Sequence, residues 1–252
     1  MRIARIITPR GTVGVIERDG CWVEVDDVLA DVPRTTGPTY SLTEVEFACP
    51  VEPIIVAGIR KNVWTKGQRP PLYAFFKPSR GVVGPGEHIL VDPNLGDVRG
   101  EGELALIIGH TCRFLTPEQA RGAVLGFTCG NDVTVFDQLD LDPTLMQAKG
   151  GDGHTPLGPW IETDLDALRA PIRVYTNGKE ILSGSTADLA WDPFAALSYL
   201  SRYMTLGPGD VVLTGSTNTA FPLETGGTVT IAIDGIGALT NPVFPHPRAV
   251  VG

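Results

Sequence analysis

The sequence has no long hydrophobic stretch. No uninterrupted apolar run is longer than that from Leu104 to Ile108, far short of the roughly 20 residues a helix needs to span a bilayer. The opening MRIARIITPRGTV has no apolar segment of the secretory type, so a cytoplasmic protein is expected. Cysteine is scarce: Cys21, Cys49, Cys112 and Cys129 are scattered without CxxC or CxxxH spacing. That pattern suggests neither a zinc site nor a disulfide framework, and the four are expected as small buried hydrophobes. Basic charge is also in deficit, with 20 Lys and Arg against 29 Asp and Glu, a net charge of −9, and no long basic run. Neither nucleic acid nor an anionic membrane is an expected partner. A small-molecule substrate is.

Glycine and proline, by contrast, are plentiful, at 30 and 21 of 252 residues. They predict many tight turns and few long helices. The length fits one large domain or a main domain with a small appendage, and the chain divides into a small N-terminal β domain over 1–50 and a second over 51–252. In the first, ARIIT, TVGVIE and CWVEV alternate with PRG and RDG, which reads as a meander of short strands. Between Thr35 and Pro53 the pattern weakens into a connector, and from Ile54 a second block runs to about Val243.

Two segments read as helices. TPEQARGAVLGF offers Thr116 as N-cap, Pro117 at the first helical position and Gln119 for a capping box. DPFAALSYLSRYM repeats the start with Asp192 and Pro193 and places Phe194, Leu197, Leu200 and Met204 on one face, with Ser198, Ser201 and Arg202 expected outward. Asn177-Gly178 reads as a hairpin turn, and TVTIAID alternates Val229, Ile231 and Ile233 on one side. The fold class is therefore mainly β with few helices (α+β).

The chemically informative stretch is GEGELALIIG, residues 100 to 109. On a strand Glu101 and Glu103 point to the same side, and Ala105 and Ile107 carry that side into an apolar run. Two carboxylates facing a core need compensation, and a hard divalent cation compensates both at once, with Asp132 of GFTCGNDVT as a third carboxylate. Spacing alone leaves a second reading open, in which the glutamates lie at an exposed strand end and Asp132 caps a turn.

The order EGELALIIG, GFTCGNDV, AKGGDGHTPLGPW, LSRYMTLGPGDVVLTGS, IDGIGALTNPV resembles the fumarylacetoacetate hydrolase family over roughly residues 52 to 243. The resemblance implies a mixed β-roll of the family's C-terminal type, a homodimer, and Mg²⁺ or Mn²⁺ held by Glu101, Glu103 and Asp132. It also implies an active-site Lys149 in KGGD and a substrate-binding Ser216 in TGST, where the family has threonine. The chemistry implied is cleavage or rearrangement of a small 1,3-dicarbonyl or 2-oxo acid with stabilisation of an enolate.

Four positions besides Ser216 depart from the family's pattern. GIRKNVW puts Trp64 in place of a histidine that works with a glutamate to activate water, and Gly67 stands near that glutamate's position. NDVTVFD puts Phe136 in place of an arginine. KGGDGHTP puts His154 where phenylalanine is common, and a histidine titrating near neutrality is a candidate replacement acid or base. His88, His110 and His246 fall in turn or tail contexts and read as surface residues. Trp64, Phe136 and Tyr73 suggest a substrate pocket more aromatic and less cationic than is usual. Losing the water-activating pair shifts weight from C–C hydrolase toward decarboxylase, isomerase or tautomerase chemistry. A weakly catalytic ligand-binding member is the alternative of another class, and a β protein with no site is a third.

Overall fold

The computed structural model describes residues 1–247. The chain is mainly β, in a fourteen-stranded and a five-stranded sheet. The N-terminal meander forms as its alternation predicts, with Arg2–Thr8, Gly11–Arg18 and Cys21–Val25 pairing antiparallel in sequence order. Its first strand also pairs with Thr155–Glu162, Ile3 opposite Ile161, so the meander continues into the large sheet. The stretch expected as a connector holds two further strands, Thr35–Tyr40 and Glu46–Phe47, which pair with Cys21–Val25 and Arg2–Thr8. Thr35–Tyr40 is largely exposed, and a strand with so little buried surface leaves no apolar alternation to read.

The strand Val98–Ile108 organises the molecule. Residues 102 to 108 pair with Val124–Asn131, residues 105 to 107 also pair on their other side with Val211–Leu213, and residues 98 to 101 pair with Thr134–Val135 and Ala220–Pro222. Its sequence suits this place. A Cβ on Gly100 would lie 2.5 Å from the Phe221 ring, and one on Gly102 would lie 3.1 Å from Ile231 and Val174 of the second sheet. The glycines therefore face the layer that packs closely against the strand, and period-two alternation turns Glu101 and Glu103 to the other side. In the five-stranded sheet Val229, Ile231 and Ile233 are buried as expected, and Asn177 and Gly178 both take positive φ in the hairpin between Pro171–Thr176 and Lys179–Ser185.

The helices are shorter than their patterns suggest. Thr116 and Gln119 form the expected capping box, yet the α-helix spans only Pro117–Ala120, and Val124–Asn131 is a strand. Burial of that strand between two neighbours in the large sheet overrides the local helical start. The Pro193–Ser201 helix is capped by Asp192, and Phe194, Leu197 and Leu200 are buried. Ser198 and Ser201, expected outward, are buried too. Ser198 Oγ donates to the Leu115 carbonyl at 2.8 Å, and Ser201 Oγ accepts from the Leu115 amide at 2.9 Å. The segment around Leu115 covers this face, and each hydroxyl meets an amide group that would otherwise be unpaired. Of the cysteines, Cys112 and Cys129 are buried and Cys21 and Cys49 half-buried. No described helix is long and apolar enough to cross a membrane.

Candidate metal centre and cavity

Asp132 follows directly on the strand Val124–Asn131, where Asn131 pairs with Gly102. The Asp132 amide donates to the Glu101 carbonyl at 2.9 Å and Asn131 Oδ1 accepts from the Glu101 amide at 3.0 Å, so the backbone itself locks the aspartate beside the glutamates. Ligand oxygens of Glu101, Glu103 and Asp132 lie within 4.8 Å of one another. Glu103 and Asp132 are buried and Glu101 is half-buried. The exposed strand end considered from spacing is not what the chain forms.

Two lysines face this trio. Lys149 ends the short helix Met146–Lys149. Its Nζ donates to Glu101 Oε2 at 3.1 Å, to Thr134 Oγ1 at 2.6 Å and to Asp132 Oδ2, and it lies 4.5 Å over the Phe75 ring. Lys77, at the end of the strand Tyr73–Lys77, donates to Asp132 Oδ1 at 2.7 Å and to the Val133 carbonyl at 3.0 Å, its side chain fully buried. Sequence reading missed Lys77. Its signal was there, since in YAFFK it falls in phase with Phe75, and both are buried while Tyr73, Ala74 and Phe76 are exposed.

Burial works against charge on Asp132, but Lys149 and Lys77 outweigh it and hold its carboxyl below the usual range. Burial likewise opposes charge on Lys149, but Asp132 and Glu101 raise its pKa above the ordinary lysine value. For Lys77 burial wins over Asp132, with Lys149 adding repulsion, and its pKa is lowered. Glu103 is the uncompensated member. Burial, then Asp132 and Glu101, push its carboxyl well above the usual range, and among the described residues its carboxyl is met by the Gly215 amide at 2.7 Å. With three carboxyl groups against two ammonium groups, Glu103 is left without a positive partner, and the all-oxygen donor set suits a hard divalent cation. The residues fit Mg²⁺ or Mn²⁺.

The trio opens into a cavity of 270 Å³, whose wall also includes Lys149, Ser216, Phe136 and Phe75. Of the residues singled out by sequence, six are brought together here: Glu101, Glu103, Asp132, Lys149, Ser216 and Phe136. Trp64 and His154 are not part of the wall. Trp64 is 49% exposed and stacks under Arg69, 5.2 Å from its ring. Tyr73 is exposed as well. Arg60 and Lys61 line the cavity as well.

His154 is buried, with Nε2 2.9 Å from the Leu90 carbonyl. A carbonyl only accepts, so Nε2 carries the proton; Nδ1 has no partner among the described residues. Burial, with Lys77 nearby, pushes its pKa down to about 4. Because the folded protein takes up this proton less readily than the unfolded chain, the group favours the fold above its ordinary value, 6.5, and loses that contribution as pH falls toward 4. Denaturation of His154→Phe is expected to show an acid-side loss smaller by up to about 3 kcal/mol than the wild type between those limits. The pH–rate profile should keep its shape near 6.5. Disappearance of a limb there would return His154 to the chemistry.

Comparison with known proteins agrees with this geometry. A profile of the fumarylacetoacetate (FAA) hydrolase C-terminal domain matches residues 48–244. The Mycobacterium tuberculosis protein Rv2993c is 37% identical over 260 residues, covering 96% of this chain and 98% of its own. The crystal structure of 5-carboxymethyl-2-hydroxymuconate delta-isomerase from Mycobacterium smegmatis superposes with a TM-score of 0.92 at 37% identity, covering 97% of this chain and all of that one. Oxaloacetate tautomerase YcgM of Escherichia coli is 29% identical over 203 residues, 76% of this chain and 93% of its own. On a profile match over most of its length and relatives alike from end to end, the chain belongs to the fumarylacetoacetate hydrolase family.

Proposed function

We propose that the chain is a Mg²⁺- or Mn²⁺-dependent enzyme that rearranges or decarboxylates a small 1,3-dicarbonyl or 2-oxo acid. What supports this is the meeting, in one cavity, of three carboxylates within 4.8 Å of one another with a buried, protonated lysine. Glu101, Glu103 and Asp132 would hold the cation, which when bound supplies Lewis acidity toward carbonyl oxygens and developing enolate charge. Lys149 stays charged at neutral pH, so it serves as a hydrogen-bond donor and proton source to a substrate oxygen or carbon rather than as a base. Ser216 Oγ, 2.9 Å from Thr219 Oγ1, presents a hydroxyl to the same space. Phe136 closes the wall with an apolar ring.

Hydrolysis requires a group that takes a proton from water, and no histidine is among the residues lining the cavity. That favours lyase or tautomerase chemistry, in keeping with relatives that are an isomerase and a tautomerase. Turnover of oxaloacetate, acylpyruvates and unsaturated 2-oxo acids is expected with Mg²⁺ and to disappear with EDTA, read as keto–enol conversion or CO₂ release. Cleavage of an acylpyruvate into two acids would overturn the choice of chemistry. Silence across the panel from a protein that binds Mg²⁺ would mark a ligand-binding member instead.

A further inference from the structure

Asp142 is a buried carboxylate that the proposed chemistry does not use. It lies in the loop between Thr134–Val135 and the helix Met146–Lys149, is 7% exposed, and is not among the residues lining the cavity. Its oxygens meet its own loop. Oδ1 accepts from the Thr144 amide at 2.9 Å and the Thr144 hydroxyl at 2.6 Å, and Oδ2 accepts from the Gln147 amide at 2.9 Å. The Leu145 amide donates to the Asp142 carbonyl at 3.0 Å, closing a turn in which Leu145 takes a φ of 62°. A leucine enters that left-handed region only at a steric cost, so the turn is held by its surroundings rather than by its own preference. Leu145 is buried, and its carbonyl accepts from the Lys149 amide at 2.9 Å. A helix of four residues is too short to form by itself, and this one starts from the turn that Asp142 closes.

The ammonium of Lys149 has three protons and meets three acceptors, on Glu101, Asp132 and Thr134. Two of these acceptors belong to the proposed metal trio, so they do not fix the lysine independently of it. What does is the backbone from which the side chain hangs. We propose that Asp142 is a positioning residue for Lys149: by holding the left-handed turn at Leu145 it sets where the ammonium stands in the cavity, without touching the cavity itself. This inference rests on the role given to Lys149 in the proposed function and adds the residue that aims it. A proton donor displaced by about 1 Å can lose about a hundredfold in rate, which gives a carboxylate outside the cavity a measurable effect on the chemistry inside it.

Asp142→Ala is expected to lower kcat about ten- to a hundredfold on whichever 2-oxo acid the wild type turns over with Mg²⁺, with KM little changed and Mg²⁺ binding not weakened. Asp142→Asn keeps the shape and an oxygen for Thr144 but loses the acceptor for the Gln147 amide, so its kcat should fall between the two; it carries the test if the alanine variant does not fold. The decisive comparison is with Lys149→Met. If Asp142 acts through Lys149, adding the Asp142 change to Lys149→Met should lower kcat no further. A second readout needs neither metal nor turnover. In the metal-free protein the buried ammonium of Lys149 should give a slowly exchanging NMR signal, identified by its loss in Lys149→Met, and that signal should shift or vanish in the Asp142 variants. Full kcat in a folded Asp142 variant overturns the proposal, as does a double variant slower than Lys149→Met by the whole factor, which is the result for a residue that only supports the fold. Silence of the wild type on every oxo acid tells against the proposed function instead, and the ammonium signal then decides: unchanged in the Asp142 variants, it overturns the positioning; shifted or lost, it upholds it.

Discussion

Glu103→Gln is expected to weaken Mg²⁺ binding by about tenfold or more while leaving the fold intact. Glutamine keeps the shape of the side chain and an oxygen for the Gly215 amide, which lies 2.7 Å from Glu103 Oε2. What it removes is the one carboxylate of the trio that no lysine touches. The pH dependence should change with it. Burial and the neighbouring carboxylates raise the Glu103 pKa, so without metal the folded chain holds this proton more firmly than the unfolded chain does. That contribution to stability is complete below the ordinary carboxylate range and is lost as pH rises through the raised value. A cation must displace the same proton, so Mg²⁺ affinity should climb with pH and binding should release protons. Calorimetry in buffers of different ionisation enthalpy reads both effects. In Glu103→Gln the proton release should shrink and the metal-free protein should be no less stable at neutral pH. Unchanged Mg²⁺ affinity in this variant would remove Glu103 from the metal site.

Asp132→Asn should cost stability even without metal, by about 3 to 5 kcal/mol, the usual penalty for stranding a buried charge. Lys77 would keep only the Val133 carbonyl, and Lys149 only Glu101 and Thr134. Their side chains are 0% and 4% exposed, so water cannot take the place of the lost carboxylate. Burial already lowers the pKa of Lys77, and losing Asp132 lowers it further. The unfolded variant then binds more protons than the folded one as pH rises toward the ordinary lysine value, so part of the lost stability should return in that direction. Denaturant titration at neutral and alkaline pH measures this. Lys77→Met combined with Asp132→Asn should be less damaging than the sum of the single changes, because the two groups form one pair. A loss below about 1 kcal/mol for Asp132→Asn would show that the pair is solvated.

The two glutamates of the site were legible because a strand repeats every two residues and glycines separate them from the packed face. Lys149 and Ser216 were found only through the family resemblance, since nothing in KGGD or TGST alone distinguishes them from loop residues. Lys77 was overlooked because an isolated lysine in a strand ordinarily lies in solvent; only the strand's place, with its buried phase turned toward Asp132, makes it part of the site.

Alternation and turn chemistry, which are local, therefore determined by themselves that this chain is mainly β, where its principal hairpins turn, and that Glu101 and Glu103 share a face. Tertiary structure decided where the helix begun at Thr116 stops, because a central strand gains more from burial between two neighbours than a second helical turn gains from its cap. It also decided that His154 and Trp64 stand outside the cavity wall while Lys77 faces Asp132 and Arg60 lines the cavity. Those outcomes depend on which segments, tens of residues apart, are brought within a few ångströms, and a side chain's charge, burial and partners are set by that approach.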